Sequence, residues 1–380
     1  MHIVVISRTY PNKIYQSSGN FVLNQVEALA KHDIKIGIVG VYNISLKEVI
    51  KKPRNIKNYG YYKQIEGNVV NYSHLYPVLP KLHYLNHQIK FRIWKKLLKK
   101  YIDENGKPDL IHLHTFEPGA IAIWAKEKYG IPFIVTEHTT SFYTGIALNW
   151  HKKLAQIVYS KSSFNIAVSD ASAEDLKNRF NQEFNYFPNF VDTSRFMLRS
   201  KLNKGYHQFI NIGFLDSKKN QRLLVHAFNT AFNNNSSFRL SIIGNGKEYE
   251  HLKKEIKLLG NTNIQLLGYL QQDEVVDNLQ SSDYFVLSSN YETFGVVLIE
   301  AMSCGLPVAS TMCGGPESII INDKLGFLCE KDNVSALSET LVKLTQSDFD
   351  SKYIRDYAIQ NFSGETLSRK LIDIYKSIIN

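Results

Sequence analysis

The 380-residue sequence contains no run of about 18 uncharged apolar residues, the length a membrane-spanning helix requires. Its first residues, Met1-His2-Ile3-Val4-Val5-Ile6-Ser7, lack a basic segment and a small-residue cleavage site, so they read as a first strand and not as a signal peptide. Cysteine is scarce. Cys304, Cys313 and Cys329 are odd in number and have no metal-ligand spacing, which suits a reduced cytoplasmic compartment. No 20–50-residue repeat and no low-complexity tract is present, which excludes solenoids and propellers. The histidines come without a His-Glu-x-x-His motif or a clustered acidic partner, which argues against a metal site.

Acidic residues are in short supply in one half only. Residues 1–190 hold 25 Lys and Arg against 14 Asp and Glu, a balance of +11, whereas residues 191–380 hold 20 against 21. The first half therefore faces something anionic: nucleic acid, an anionic membrane surface or a diphosphate-linked substrate. A recognised nucleic-acid motif and a basic–aromatic platform are both missing, so nucleic acid is not expected as a partner.

What is present is an α/β rhythm, stated twice. His2–Ser7 reads as a buried strand, followed by a loop with Gly19 and Asn20, a helix from Phe21 to Lys31, and a strand Ile34–Val41. Residues 43–64, with Lys47, Lys51, Lys52, Arg54, Lys57 and Lys63, read as a solvated basic segment. Residues 84–101 repeat apolar side chains at three- and four-residue steps around Trp94, with six Lys and Arg between them. That pattern fits a helix lying in a membrane interface, and equally a helix on a sheet with extended lysine stems. Pro108–His114 and Pro132–Thr136 read as strands that bring His114 and His138 to their C-terminal ends, where parallel sheets bind ligands. A turn-rich stretch at 191–204 reads as a linker between a domain 1–190 and a domain 205–362, with the last helix, 363–380, packing back on the first.

The second half restarts with strands at Phe209–Gly213, Phe238–Ile243, Ile264–Leu267, Tyr284–Leu287 and Pro307–Ser310. Gly244-Asn245-Gly246 lacks the third glycine of a dinucleotide fingerprint, so NAD is not expected, although the backbone at Gly244 could still approach a nucleotide. The run Glu292-Thr-Phe-Gly-Val-Val-Leu-Ile-Glu300 carries two carboxylates eight positions apart. On one helix they would lie about 80° apart in projection. Gly295 stands near a helix start, where free backbone N–H groups can meet an anion.

The Glu-x7-Glu run continues as Ala301-Met302-Ser303-Cys304-Gly305-Leu306-Pro307-Val308 and Gly314-Gly315-Pro316-Glu317, and is preceded by Pro188-Asn189-Phe190-Val191-Asp192 and Ile243-Gly244-Asn245-Gly246. In these segments the chain resembles the retaining glycosyltransferases of GT-B fold, the large group 1 family that builds glycoconjugates. The resemblance implies two Rossmann-like parallel-sheet domains facing across a cleft. It implies that Glu300 holds the ribose of a nucleotide-diphosphate sugar and that Glu292 contacts the transferred sugar. Thr293, Phe294 and Gly295 would meet the sugar or diphosphate, with Gly213 and Gly244 beside the nucleotide. Lys219 would stabilise the diphosphate as it leaves, and Gly19 would let its loop close on the sugar donor. His114 would act in catalysis, with His138 and Asn20 toward the acceptor. The expected acceptor is a lipid-linked glycan at the inner face of the cytoplasmic membrane. No cofactor and no metal is implied, because the only Asp-x-Asp, Asp348-Phe349-Asp350, is remote in sequence from the Glu-x7-Glu run.

One position departs from the family. Phe214 follows Gly213 where members usually carry an arginine that assists the lysine. Its loss removes a charge-assisted contact of about 1.5–3 kcal/mol unless Lys218 or Arg222 replaces it. A non-catalytic scaffold subunit of a glycosyltransferase complex is the alternative that this departure leaves open.

Overall fold

The buried β-branched run Ile3-Val4-Val5-Ile6 builds the centre of one sheet, as expected of a strand covered on both faces. The computed structural model describes residues 1–12, 14, 18–45, 49, 60–142, 145, 147–198 and 204–380. The basic residues Lys47, Lys51, Lys52, Arg54 and Lys57 lie outside them. The chain divides into two compact units, one of residues 1–168, 173–187 and 367–380, the other of 169–172 and 188–366. The described part of the expected linker thus falls in the second unit.

In the first unit the strands are β1 (His2–Ser7), β2 (Lys35–Ser45), β3 (Gly60–Glu66), β4 (Val69–Val78), β5 (Leu110–His114), β6 (Phe133–Glu137), β7 (Phe164–Ala167) and β8 (Asn185–Tyr186). They form one sheet in the order β3-β4-β2-β1-β5-β6-β7-β8. All neighbours are parallel except β3, which folds back antiparallel on β4. This hairpin was not anticipated: its β3 strand shows no apolar alternation and is almost wholly solvated. Register aligns Ser7 with His114 and His114 with Thr136, so the ends of β1, β5 and β6 are level.

The helix His83–Asn105 packs on this sheet. Trp94 is 1 % exposed and lies in the core with Leu97, Leu98 and Tyr101, so it cannot serve as an interfacial anchor. The apolar residues that this helix offers to solvent are at its start, Tyr84 and Leu85.

The second unit holds β9 (His207–Ile212), β10 (Phe238–Ile243), β11 (Ile264–Gly268), β12 (Tyr284–Leu287), β13 (Val308–Thr311) and β14 (Gly326–Cys329), in the order β11-β10-β9-β12-β13-β14. Every pair is parallel. The order reverses between β9 and β12, and at such a switch point the loops leaving the two strands diverge and open a crevice. Two parallel-sheet α/β domains are therefore the architecture. Among the described residues no helix is long and apolar enough to cross a membrane.

Candidate active site

The loops that leave β9 and β12 carry the charged cluster of the second unit. After β9, Asp216 Oδ1 accepts the N–H groups of Lys218 (3.1 Å) and Lys219 (3.0 Å), which closes the turn. Asn220 then caps the helix Gln221–Phe232, its side chain accepting from the Leu223 N–H. After β12, the Asn290 N–H donates to the Lys218 carbonyl (2.8 Å), and Ser288 Oγ donates to the Lys219 carbonyl (3.1 Å). These bonds lace the two loops together. Lys219 Nζ consequently meets Glu292 Oε1 in an ion pair whose side chains are about four-fifths buried or more. Ser289 Oγ also donates to Glu292 Oε1 (3.1 Å).

Glu292 does not sit on a helix. It forms an isolated bridge with Gly314, and its peptide bonds Cys313 O and Gly315 N–H at 3.0 and 2.9 Å. The helix begins only at Val296, after Gly295 turns the chain at φ +104°, and it ends at Ser303. Of the two glutamates only Glu300 is helical, so the expected 80° relation does not apply. The N–H groups of Val296 and Val297 in its first turn have no intrahelical acceptor. Phe294 is buried at 1 % exposure, so its ring packs inside while its peptide stays at the turn. The carbonyl of Thr293 accepts from Ser172 Oγ (3.4 Å).

Glu300 keeps partial solvent contact. Protein atoms nevertheless crowd its carboxyl, and this burial pushes the pKa up to about 8. Among the described residues no hydrogen bond or ion pair is recorded for that carboxyl. Without a protein partner among those residues and partly open to solvent, it is a group that hydroxyls can engage.

Gly244, at the end of β10, has a reason of its own for being glycine. A Cβ there would stand 1.9 Å from the Gly213 carbonyl oxygen, and φ is +146°. The position lets two strand ends touch. Phe214 is 59 % exposed. Arg222 does not fill the place of the missing arginine: its Nε donates to Glu255 Oε1 (2.7 Å), which His226 Nε2 also approaches (2.6 Å).

The first unit gathers a second cluster of the opposite character. His112 and His114, two apart on β5, stack at 4.6 Å, and His114 stacks on His138 at 5.2 Å. His114 Nδ1 lies 3.0 Å from His138 Nε2. The ring of Phe21 covers His138 at 4.3 Å. Below, His112 Nε2 meets Thr136 Oγ1 (2.7 Å), and His112 Nδ1 meets the Tyr375 hydroxyl (2.7 Å). Gln25 Nε2 reaches both His112 Nδ1 (3.2 Å) and His114 Nε2 (3.4 Å). Burial takes the His114 pKa down to about 3. Burial first, and then the charge each histidine would feel from its neighbours, holds His112 and His138 well below the usual range.

His114 is 1 % exposed, whereas His138 is half-buried and forms the solvent side of the stack. Asn20 opens the helix Asn20–Ala30, behind Gly19 in the left-handed conformation at φ +77°. A Cβ on Gly19 would stand 2.6 Å from the Thr9 carbonyl, so glycine allows these two loop segments to touch. Glu137 anchors the loop before His138. Its carboxyl accepts from the N–H groups of Phe116, His138 and Thr139 and from the Tyr159 hydroxyl. Gln25, Glu137 and Tyr375 were not anticipated as site residues. Their one signal was polarity on otherwise apolar faces.

Two family models match the chain: "Glycosyltransferase Family 4" over residues 18–195 and "Glycosyl transferases group 1" over residues 193–361. The chain is 26 % identical over 284 residues to N-acetyl-alpha-D-glucosaminyl L-malate synthase of Bacillus anthracis, covering 71 % of this chain and 74 % of that protein. It is 25 % identical over 312 residues to UDP-Gal:alpha-D-GlcNAc-diphosphoundecaprenol alpha-1,3-galactosyltransferase of Escherichia coli, covering 75 % and 78 %. Among solved structures it is similar to sucrose-phosphate synthase of Thermosynechococcus elongatus, with a TM-score of 0.80 at 15 % identity, covering 100 % of this chain and 99 % of that one.

Proposed function

The chain belongs to the group 1 glycosyltransferases of GT-B fold, and on that premise we propose that it moves a hexose or N-acetylhexosamine from a nucleotide-diphosphate sugar to a lipid-linked glycan acceptor, with retention at the anomeric carbon. The observation that carries this reading is the Lys219–Glu292 pair at the sheet's switch point, with the Glu300 carboxyl on the helix that follows. Breaking a sugar–diphosphate bond develops negative charge on the leaving group and positive charge on the anomeric carbon. Lys219 and the amides at Val296 and Val297 answer the first charge. Glu292 answers the second. It is already engaged by Lys219 and Ser289, so its role is electrostatic support for a front-face transfer and not covalent attack. Glu300 takes the ribose hydroxyls. His138 meets the acceptor, with His114 acting through it. The lysine and the amides supply the positive charge that a divalent ion would otherwise bring, so the transfer is proposed to survive chelation.

The lipid-linked acceptor draws support from the first unit's positive charge and from the galactosyltransferase relative, whose printed name includes a diphosphoundecaprenol. The exposed apolar residues Leu82, Tyr84, Leu85, Leu148 and Ile157 lie close in sequence to Lys81, Lys152 and Lys153. Tyr84 touches Trp150 edge-on, which joins the starts of two helices into one patch. Such a patch suits peripheral contact with anionic headgroups on the cytoplasmic side. Co-sedimentation with phosphatidylglycerol vesicles that vanishes in Lys152→Ser/Lys153→Ser would support it. Equal binding to neutral vesicles would sink it.

The decisive assay incubates the protein with a nucleotide-sugar panel and a membrane extract. Acceptor-dependent nucleotide release that disappears in Lys219→Ala and Glu292→Gln supports the reading, and release untouched by both changes refutes it. A second reading, a non-catalytic scaffold subunit, draws on Phe214 and on the commitment of Arg222 to Glu255. Sugar-donor binding by calorimetry, with turnover only beside a partner protein, would favour it.

A further inference from the structure

The histidine cluster contains more order than stacking alone requires. Gln25 Nε2 can only donate, and it faces a ring nitrogen on each of two histidines, 3.2 Å from His112 Nδ1 and 3.4 Å from His114 Nε2. Both nitrogens must therefore carry lone pairs. The Tyr375 hydroxyl lies 2.7 Å from the same His112 Nδ1 and, with that nitrogen an acceptor, points its own proton at the histidine. With Nδ1 an acceptor, neutral His112 holds its proton on Nε2 and donates it to Thr136 Oγ1 at 2.7 Å. With Nε2 an acceptor, neutral His114 holds its proton on Nδ1. That proton points at His138 Nε2, 3.0 Å away. His138 Nε2 is then an acceptor too, and its proton sits on Nδ1. Each assignment follows from the one before it, and the Tyr375 hydroxyl, which can donate or accept, is compatible with the choice that the amide imposes on His112.

We infer that Gln25 and Tyr375 are positioning residues: acting through His112 and His114, they fix His138 as its Nδ1–H tautomer and hold its ring in place. This rests on the proposed role of His138 toward the acceptor. The device reaches far along the chain, because Tyr375 belongs to the last helix, Gly364–Ile379, and meets a residue 263 positions earlier. His32 Nε2 and Ser368 Oγ, 2.7 Å apart, pin the same helix one end earlier. The core position of Tyr375, fully buried, would be filled as well by phenylalanine. The hydroxyl is what packing does not explain.

The test is the tautomeric state of the histidines, read from two-bond 1H–15N couplings in the full-length, 15N-histidine-labelled protein at pH 7.5. The expected wild-type spectrum has His112 protonated on Nε2 and both His114 and His138 on Nδ1. Gln25→Glu replaces a donor by an acceptor of the same shape, so it should reverse the relay and move the protons of His114 and His138 to Nε2. Tyr375→Phe should lower turnover about fivefold, as expected for one lost hydrogen bond, without changing the KM for the nucleotide sugar. An Nε2 proton on wild-type His114 or His138 overturns the inference. So does a Gln25→Glu spectrum with the wild-type pattern. The wild-type spectrum decides even if a variant fails to fold. It also needs no turnover: assigned tautomers in a protein that transfers no sugar would refute the proposed function alone, and transfer with the wrong tautomers would refute this inference alone.

Discussion

The two units organise polar groups in opposite ways. In the second unit Lys219 and Glu292 form an ion pair held by loops that meet over a switch point. In the first, three histidines are stripped of charge by burial and joined ring to ring. Under the proposed function, the difference follows the two halves of a transfer reaction. A diphosphate leaving group brings net negative charge and needs a fixed cation. An acceptor hydroxyl is neutral and needs a hydrogen-bonding group whose proton is on a known atom. The contrast also shows in pH. Glu300, raised to about 8, keeps a proton in the folded state that it loses when unfolded. Its contribution is present below pH 4.5 and is lost as pH rises through about 8. The histidines run the other way. The stability they contribute is present above pH 6.5 and is lost as pH falls toward about 3, the value for His114.

The comparison breaks most visibly at Lys219. Lys219→Ala should lower kcat/KM by about 10²–10³-fold, the usual cost of one preorganised charge-stabilising group. Because the lysine and Glu292 form one pair, Lys219→Ala/Glu292→Gln should cost less than the two single losses combined. Steady-state kinetics of the three variants measures this. Full additivity would show that the ion pair has no part in transfer.

Next in size is Glu300. Glu300→Gln should weaken nucleotide binding by up to about tenfold, as expected for loss of one hydrogen bond to a ribose hydroxyl. The same change should raise the melting temperature at pH 9 and leave it unaltered at pH 5, because only the ionised carboxylate is penalised by burial. Calorimetry at the two pH values checks the sign. A melting temperature lowered at both would mean that the carboxyl is satisfied in the folded protein.

These two sites also differ in how far they can be read from residues alone. The second-unit site is contiguous: Asn290 to Glu317 supplies most of it, and Lys219 follows the neighbouring strand. Its family resemblance was therefore legible, as were the strands β9 to β13 of its sheet, whereas β14 and, in the first sheet, β3, β4 and β8 were not. Backbone detail was not legible either. Gly295 delays the helix until Val296 and leaves Glu292 in a bridge, which periodicity cannot reveal because the apolar run Val296–Ile299 suits either start. In the first unit, residues 25, 112, 136 and 375 come together only through tertiary packing, and no local pattern links them. The Trp94 helix stayed open for the same reason: a basic helix with buried stems and one on a membrane share one pattern, and only the sheet beneath decides.

The histidine cluster should make itself known by a small effect. Since burial keeps these rings neutral, no group with the ordinary histidine pKa near 6.5 should appear in the rate profile. kcat/KM should change less than about twofold between pH 6 and 7.5 on their account. A limb near 6.5 that disappears in His138→Gln would show that the stack opens during turnover.

Arg222 should give the smallest effect, and it tests the boundary of the charged site. Its side chain is 63 % exposed and its guanidinium is directed to Glu255. Arg222→Ala should leave kcat/KM within about twofold and cost about 1–3 kcal/mol of stability, because the buried Glu255 carboxylate loses a donor. If transfer instead falls tenfold or more, the arginine leaves Glu255 when the diphosphate arrives and does the work that Phe214 cannot. The cation set would then be two residues and not one, and the Lys219→Ala loss would have to be read as the removal of half of it.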